Sequence, residues 1–271
     1  MSNTPLVSVI TTVYNGEQYL TQAIESIQRQ SLTELEYVIV DDGSDDRTPD
    51  ILAGAQADPR LKVISQPRIG RAKALNVAWR QAGGAYIANL DVDDLAEPNR
   101  LETQLRFLEQ HPEVGLVGTA CKILDEQTGT VRLRRLMQTD EELRRALIRH
   151  NPFVHSSVMM PRRVLEAVGG YNEMFPVSID YELWVRLARH YQLANLAEPL
   201  TIKRMNRQAY FQNRISTWKK YKTRVKIRWY AWRHLSRRLI ELPYVVDPTG
   251  QWLYTRMGNS WRSTNQSLAK G

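Results

Sequence analysis

The chain has 271 residues, 42% of them hydrophobic, with a formal charge of +8 and a single cysteine. That length suffices for one large domain or two small ones, and Cys121 alone excludes a disulfide framework and a cysteine-based zinc site, so a reducing, cytoplasmic compartment is expected. No apolar run is long enough to span a bilayer, and Met1 to Pro5 lacks the basic-then-apolar pattern of a secretory leader.

Leu6 to Val13 is an apolar, β-branched run ending in the turn signal Tyr14-Asn-Gly16, which predicts a first buried strand. Leu20, Ala23, Ile24 and Ile27 then recur at the spacing of a helix lying on a sheet. Glu36 to Val40 reads as a second strand with an acidic loop, Asp41 to Asp46, at its carboxyl end. A helix from about Pro49, a strand at Leu61 to Ser65 and a helix from Arg71 to Gln81 follow. Ala85 to Leu90 is a short strand that runs into Asp91, Asp93 and Asp94. Strand and helix alternate through about the first 110 residues, which implies a parallel sheet with right-handed crossovers. Both acidic loops then fall on one sheet edge, where open α/β folds bind ligands.

Beyond that edge the pattern gives a helix from Pro98 to His111, a strand from Val114 to Ile123 and a hairpin-like turn at Asp125 to Gly129. A helix over Asp140 to His150, an apolar run at Val154 to Met160, a Gly169-Gly170 turn and a helix from Asp180 to Tyr191 complete this part.

Clustered carboxylates repel unless something positive lies between them, so Asp91, Asp93 and Asp94 are a candidate site for a hard divalent cation; the alternative is a solvated acidic turn capping the next helix. No G-x-G-x-x-G follows the first strand and no G-x-x-x-x-G-K-[ST] occurs, which argues against dinucleotide oxidoreductases and P-loop enzymes. Arg68, Arg71 and Lys73 lie in sequence between the two acidic loops. Acids able to hold a cation beside bases able to hold an anion suit a metal-bound nucleoside diphosphate.

Val7-Ser-Val-Ile-Thr-Thr-Val-Tyr-Asn15, Val40-Asp-Asp-Gly-Ser44, Leu90-Asp-Val-Asp-Asp94 and Ile179-Asp-Tyr-Glu-Leu-Trp184 occur in the order and spacing of family 2 glycosyltransferases, which the chain resembles over about residues 6–204. The resemblance implies the GT-A fold: an α/β, Rossmann-like, mostly parallel sheet flanked by helices. The expected division is a catalytic domain over residues 1–205, with a nucleotide-sugar half to about 110 and an acceptor half after it, and a basic helical extension over 206–271. It also implies transfer of one sugar from a nucleotide donor, UDP by default, to a hydroxyl with inversion at the anomeric carbon. Carried over by position, Thr12 and Tyr14 would line the nucleoside pocket, Asp42 would hydrogen-bond the base and Asp91 would meet the ribose. Asp93 would ligate Mn²⁺ or Mg²⁺, and Asp180 would be the general base. Inversion by single displacement needs one such carboxylate and a positive centre at the departing diphosphate, with no covalent nucleophile. Asp180 also suits a helix N-cap, while Glu182 should face elsewhere on its helix.

The chain departs from the family pattern twice. Leu75 precedes Asn76 where many relatives carry Arg, which leaves the pyrophosphate contact to Arg71 or Lys73, or to no residue of this helix. The run Lys203-Arg-Met-Asn206 ends where relatives often have His, leaving Asn206 as a weak oxygen ligand. His155 reads as a structural histidine.

Charge is divided unevenly: residues 201–271 carry 16 Lys/Arg and 2 Asp/Glu, against 21 and 27 in residues 1–200. From Ser216 to Ile240, Trp218, Tyr221, Val225, Trp229, Trp232, Leu235 and Leu239 form an apolar stripe at spacings of three and four among lysines and arginines. Such a helix suits an anionic membrane surface, here the inner face of the cell membrane. It equally suits packing on the catalytic domain or on a second copy in a homo-oligomer. Nucleic acid ranks last, because no recognised module accompanies the charge. The expected acceptor is a surface glycan or lipid-linked glycan. A nucleotidyltransferase, or a degenerate membrane- or nucleic-acid-binding protein, remains the alternative reading.

Overall fold

The structure, a computed structural model, describes residues 5–205 and 216–246. Its centre is a nine-stranded sheet in the order β3-β2-β1-β4-β8-β6-β9-β5, with β7 paired to β6 off this path. The strands are β1 (Val7–Val13), β2 (Leu35–Asp41), β3 (Leu61–Ser65), β4 (Tyr86–Asn89), β5 (Leu95–Ala96), β6 (Val114–Asp125), β7 (Val131–Arg134), β8 (Met159–Pro161) and β9 (Gln192–Met205). The helices are α1 (Leu20–Gln28), α2 (Thr48–Ala55), α3 (Arg71–Gln81), α4 (Arg100–Gln110), α5 (Asp140–Leu147), α6 (Arg162–Ala167), α7 (Ile179–Leu187), α8 (Thr217–Ala231) and α9 (Leu242–Val246).

The β-branched runs of β1 and β2 form central strands because both faces are covered. Val7, Val9 and Val13 of β1 point into one core cluster, with α1 and α4, while Ile10 points into the other, with α3, α5 and α7. Strand β2 divides in the same way, Ile39 to the first cluster and Val38 and Val40 to the second. Trp184 of α7 is fully buried in the second cluster, where each such side chain contributes about 1.5–3 kcal/mol.

The pairs β3-β2, β2-β1 and β1-β4 are parallel, as the alternation of strand and helix predicts. Past β4 the sheet is mixed: β8 runs antiparallel to β4 and β6, β6 and β9 are parallel, and β5 is antiparallel to β9. Three elements here were not legible from pattern, the two-residue β5, the short α6 and the long β9. Strand β9 hides its period because it is bulged against β6, with register shifts around Ala120 opposite Pro199.

The tail departs from the expected single stripe. Helix α8 stops at Ala231 and gives way to a wider turn, Trp232–Ser236, ended by Arg237 in the left-handed region at φ 61°. Its apolar residues divide between opposite faces. Ile227 and Ala231, outside the predicted stripe, are buried in the cluster that holds α7, whereas Trp218, Tyr221 and Trp229 of the stripe are 62%, 38% and 48% exposed. Small and branched side chains let a helix approach a flat core closely, which the indoles would prevent. Asn206 lies outside the described residues.

Candidate active site

The carboxyl ends of β2, β1 and β4 lie side by side, so the loops after them share one edge. The first two loops are laced together. Asn15, itself at φ 53°, donates from its backbone N to Ser44 Oγ at 3.0 Å and from Nδ2 to Asp45 Oδ1 at 2.6 Å. Asp41 closes its own turn by accepting from the Ser44 amide and hydroxyl at 3.0 and 2.6 Å.

Asp42 is buried and accepts from the backbone amides of Ile69 at 2.7 Å and Gly70 at 2.9 Å. Gly70 then starts α3 at φ 93°, a conformation that favours glycine, and the first helical residue, Arg71, reaches across to Asp91. The two acidic loops are therefore joined mechanically, Asp42 through the backbone at residues 69 and 70 to Arg71 and Asp91.

Arg71 Nη2 lies 2.5 Å from Asp91 Oδ1, and His155 Nδ1 lies 2.8 Å from the same oxygen. Asn89 Nδ2 and the Tyr171 hydroxyl stand 2.5 and 3.0 Å from His155 Nε2, and Arg71 Nη2 lies 3.1 Å from Nδ1, so the ring is fixed from both ends against Asp91. Burial alone would push the Asp91 carboxyl up, but Arg71, His155 and Lys203 facing it hold it well below the usual carboxylate range.

Asp94 is fully buried and committed: it accepts from the Ser156 hydroxyl, from the Arg204 amide at 3.0 Å and from Lys203 Nζ at 3.4 Å. Burial pushes its carboxyl up to about 6, with Lys203 pulling against it and the neighbouring acids adding to it. Burial and the adjacent Asp91 charge also push Asp93 up. Carboxylate oxygens of Asp91, Asp93 and Asp94 lie within 4.8 Å of one another. Asp94 and Oδ1 of Asp91 are engaged by protein donors, which leaves Asp93 and Oδ2 of Asp91 to a hard divalent cation. That donor set fits an ion that keeps waters and takes diphosphate oxygens, and a dication would relieve the strain on the Asp93 anion.

A cavity of about 590 Å³ opens over this edge, lined by Arg68, Arg71, Lys73, Asp91, His155, Asp180 and Lys203 among others. Asp180 enters from the first turn of α7, after Ser178 turns the chain in the left-handed region at φ 55°. Asn151 Nδ2 donates to Asp180 Oδ2 at 2.7 Å. Glu182 is directed elsewhere, gripping Arg186 at 2.8 Å.

Of the residues singled out in the sequence, Arg71, Lys73, Asp91 and Asp180 share this cavity and Asp93 adjoins it in the acid cluster. Thr12, Tyr14 and Asp42 do not line it. Asp42 is occupied by the Ile69 and Gly70 amides, and the Arg68 guanidinium lies 3.6 Å over the Tyr14 ring, so the loop at residues 66–70 covers both. Lys203, Tyr171 and Asn151 carried no sequence signal of their own. His155 is a buried structural histidine, as its lone occurrence suggests, but what it holds in place is Asp91.

The profile described as Glycosyl transferase family 2 matches residues 8–169. An uncharacterized glycosyltransferase of Methanocaldococcus jannaschii is 31% identical over 223 residues, 80% of this chain and 77% of its own length. The amylovoran biosynthesis glycosyltransferase AmsE of Erwinia amylovora is 32% identical over 200 residues, 72% of this chain and 74% of its own. Among solved structures, S. aureus TarS 1–349 in complex with UDP-GlcNAc superimposes with a TM-score of 0.69 at 19% identity, covering 90% of this chain and 80% of that one. The mannosyltransferase PcManGT of Pyrobaculum calidifontis, in complex with GDP-Man and Mn²⁺, gives 0.63 at 21% identity over 98% and 81%. Profile, relatives and fold agree, and the chain belongs to glycosyl transferase family 2, an enzyme class built here on the GT-A fold.

Proposed function

We propose that this glycosyltransferase moves one sugar from a nucleoside-diphosphate donor, UDP by default, to a hydroxyl of a surface-glycan or lipid-linked acceptor, with inversion. The observation that carries the reading is that Asp180 and Asp91 line one cavity, with the Arg71 guanidinium facing both. TarS is known with UDP and UDP-GlcNAc, PcManGT with GDP-Man and Mn²⁺, and AmsE serves amylovoran biosynthesis, which supports a nucleotide sugar and a surface polysaccharide.

In this reading Asp180 takes the acceptor proton as the acceptor oxygen bonds to the anomeric carbon and the bond to the diphosphate breaks. Asn151 holds one Asp180 oxygen, which orients the other toward the acceptor. Asp93 and Asp91 would hold Mn²⁺ or Mg²⁺, which when bound would supply positive charge against the diphosphate. Arg71, Lys73 and Lys203 add fixed positive charge on the same side. Thr12, Tyr14 and Asp42 would serve the nucleoside, Asp42 also by anchoring the loop at residues 66–70 from which Arg71 starts.

Asp180→Ala should lower kcat by about 10²–10⁴-fold with donor binding retained, as for loss of a general base. Asp93→Ala should abolish metal-dependent donor binding. Release of nucleoside diphosphate from a panel of UDP-, GDP- and dTDP-sugars reads both. Full activity in either variant overturns the assignment, and release of pyrophosphate would indicate a nucleotidyltransferase.

The same reading gives the tail a place. No helix among the described residues is long and apolar enough to cross a membrane. The outward face of α8 instead offers Trp218 stacked on Tyr221 at 5.5 Å, with Lys222 5.0 Å from the indole, to an anionic bilayer surface.

A further inference from the structure

The donor cavity holds a third carboxylate that the transfer chemistry leaves unused. Beside Asp91 and Asp180 it is lined by Glu173, from the loop that joins α6 to α7. Glu173 is exposed, yet a buried side chain aims it. Asn76 of α3, 2% exposed, donates from Nδ2 to Glu173 Oε1 at 2.8 Å and to the Tyr171 carbonyl at 2.9 Å. Its Oδ1 accepts from the Trp79 indole and from the Tyr171 amide, both at 2.9 Å.

Both N–H groups and both lone pairs of the Asn76 amide are therefore committed, which fixes its orientation and, through it, that of the Glu173 carboxylate. The same helix begins with Arg71, which grips Asp91, so one rigid element sets Glu173 relative to the acids of the donor site. Among the described residues no donor reaches Oε2 of Glu173. The adjoining lining residues Phe175, Pro176 and Val177 are apolar, a surface suited to the C–H face of a pyranose ring.

We infer that Glu173 reads the sugar being transferred: its carboxylate accepts hydrogen bonds from ring hydroxyls of a neutral hexose or N-acetylhexosamine. The inference rests on the nucleotide-sugar reading above and names the class of sugar. A sugar joined to a diphosphate at the Asp91 end, with its anomeric carbon open to an acceptor at Asp180, has its ring within the same cavity, where an ionised carboxylate is the strongest acceptor for hydroxyl donors. A uronic acid would instead bring its own carboxylate against Glu173 and Asp180, and like charges in one cavity repel.

Calorimetry on the full-length protein with Mn²⁺ and no acceptor tests this. The probes are UDP, GDP and dTDP, set against UDP-glucose, UDP-N-acetylglucosamine, GDP-mannose, dTDP-glucose and UDP-glucuronate. The nucleoside diphosphate that the parent binds should bind Glu173→Ala equally well, whereas the matching neutral nucleotide sugar should bind about 10- to 100-fold more weakly, the range for a hydrogen bond to a charged group. Glu173→Gln keeps an oxygen for Asn76 and puts an amide N–H₂ in place of Oε2, so its nucleotide-sugar affinity should also fall while its unfolding midpoint matches the parent. Parent-like nucleotide-sugar affinity in Glu173→Gln, or an equal fall for diphosphate and nucleotide sugar, reduces Glu173 to a brace for Asn76 and overturns the inference. So does a parent that binds UDP-glucuronate more tightly than every neutral sugar, or that binds a diphosphate but none of the neutral nucleotide sugars. A parent that binds no nucleoside diphosphate sinks the donor reading itself.

Discussion

Gly43 shows how a residue with no functional group shapes this site. It sits at φ 76°, and a Cβ there would lie 2.8 Å from the Arg68 amide nitrogen. Gly43→Ala therefore combines an unfavourable backbone conformation with a clash against the segment that carries Ile69 and Gly70 onto Asp42. A loss of about 1–3 kcal/mol is expected, read by urea unfolding, together with weaker UDP binding, because α3 and Arg71 start from that segment. Wild-type stability would show that the loop yields freely and that Asp42 does not anchor it. At this scale the sequence was informative where chemistry repeats a pattern: Asp91 and Asp93 stood out as acids at the carboxyl end of an apolar run, and Asp180 by its place in the motif Ile179-Asp-Tyr-Glu-Leu-Trp184. It was silent where a side chain acts through burial. Arg100 carries no sequence signal of its own, yet it is fully buried and donates to the carbonyls of Asn89 and Val158 at 2.9 and 3.1 Å, fixing the end of β4 just before the acids. Only the neighbouring strand, far away in the chain, makes that position interior.

Among the elements, the parallel half was legible because each of its strands is apolar on both faces and is bounded by turn residues, so period and punctuation agree. In the acceptor half β6, α5 and α7 were legible as well, whereas β8, three residues within a longer apolar run, and the bulged β9 get their place from partners distant in sequence. Helix α8 is the instructive case. Its three and four spacing was visible, but two faces satisfy that spacing, and the aromatic one was the more conspicuous. The buried face predicts the opposite ranking of mutants. Ile227→Ala should cost about 2–4 kcal/mol by leaving a cavity in the shared core. Trp229→Ala, at a half-exposed position, should change stability by less than about 0.5 kcal/mol despite removing the larger side chain. Thermal unfolding of the two variants decides between the faces: equal losses would mean that α8 is not docked through Ile227.

At the scale of the whole molecule, the asymmetry of charge and the exposure of the α8 aromatics point to one surface. Trp218, Tyr221 and Trp229 face away from the core, and Lys219, Lys222 and Lys226 are exposed beside them. Each basic side chain near an anionic bilayer contributes about 1 kcal/mol, an attraction that added salt screens. The aromatic rings contribute a part that salt leaves intact, because it comes from apolar area. The two contributions are separable in sedimentation with vesicles. Binding to phosphatidylglycerol vesicles should exceed binding to phosphatidylcholine vesicles and fall steeply as salt is raised. Trp218→Ala with Trp229→Ala should lower binding at every salt concentration while the unfolding midpoint stays within about a degree or two of the parent, as for exposed residues that lie outside the core. Binding that ignores lipid charge, or that survives the double substitution, would remove the membrane from this face of the helix and leave packing through Ile227 and Ala231 as the tail's contribution to the enzyme.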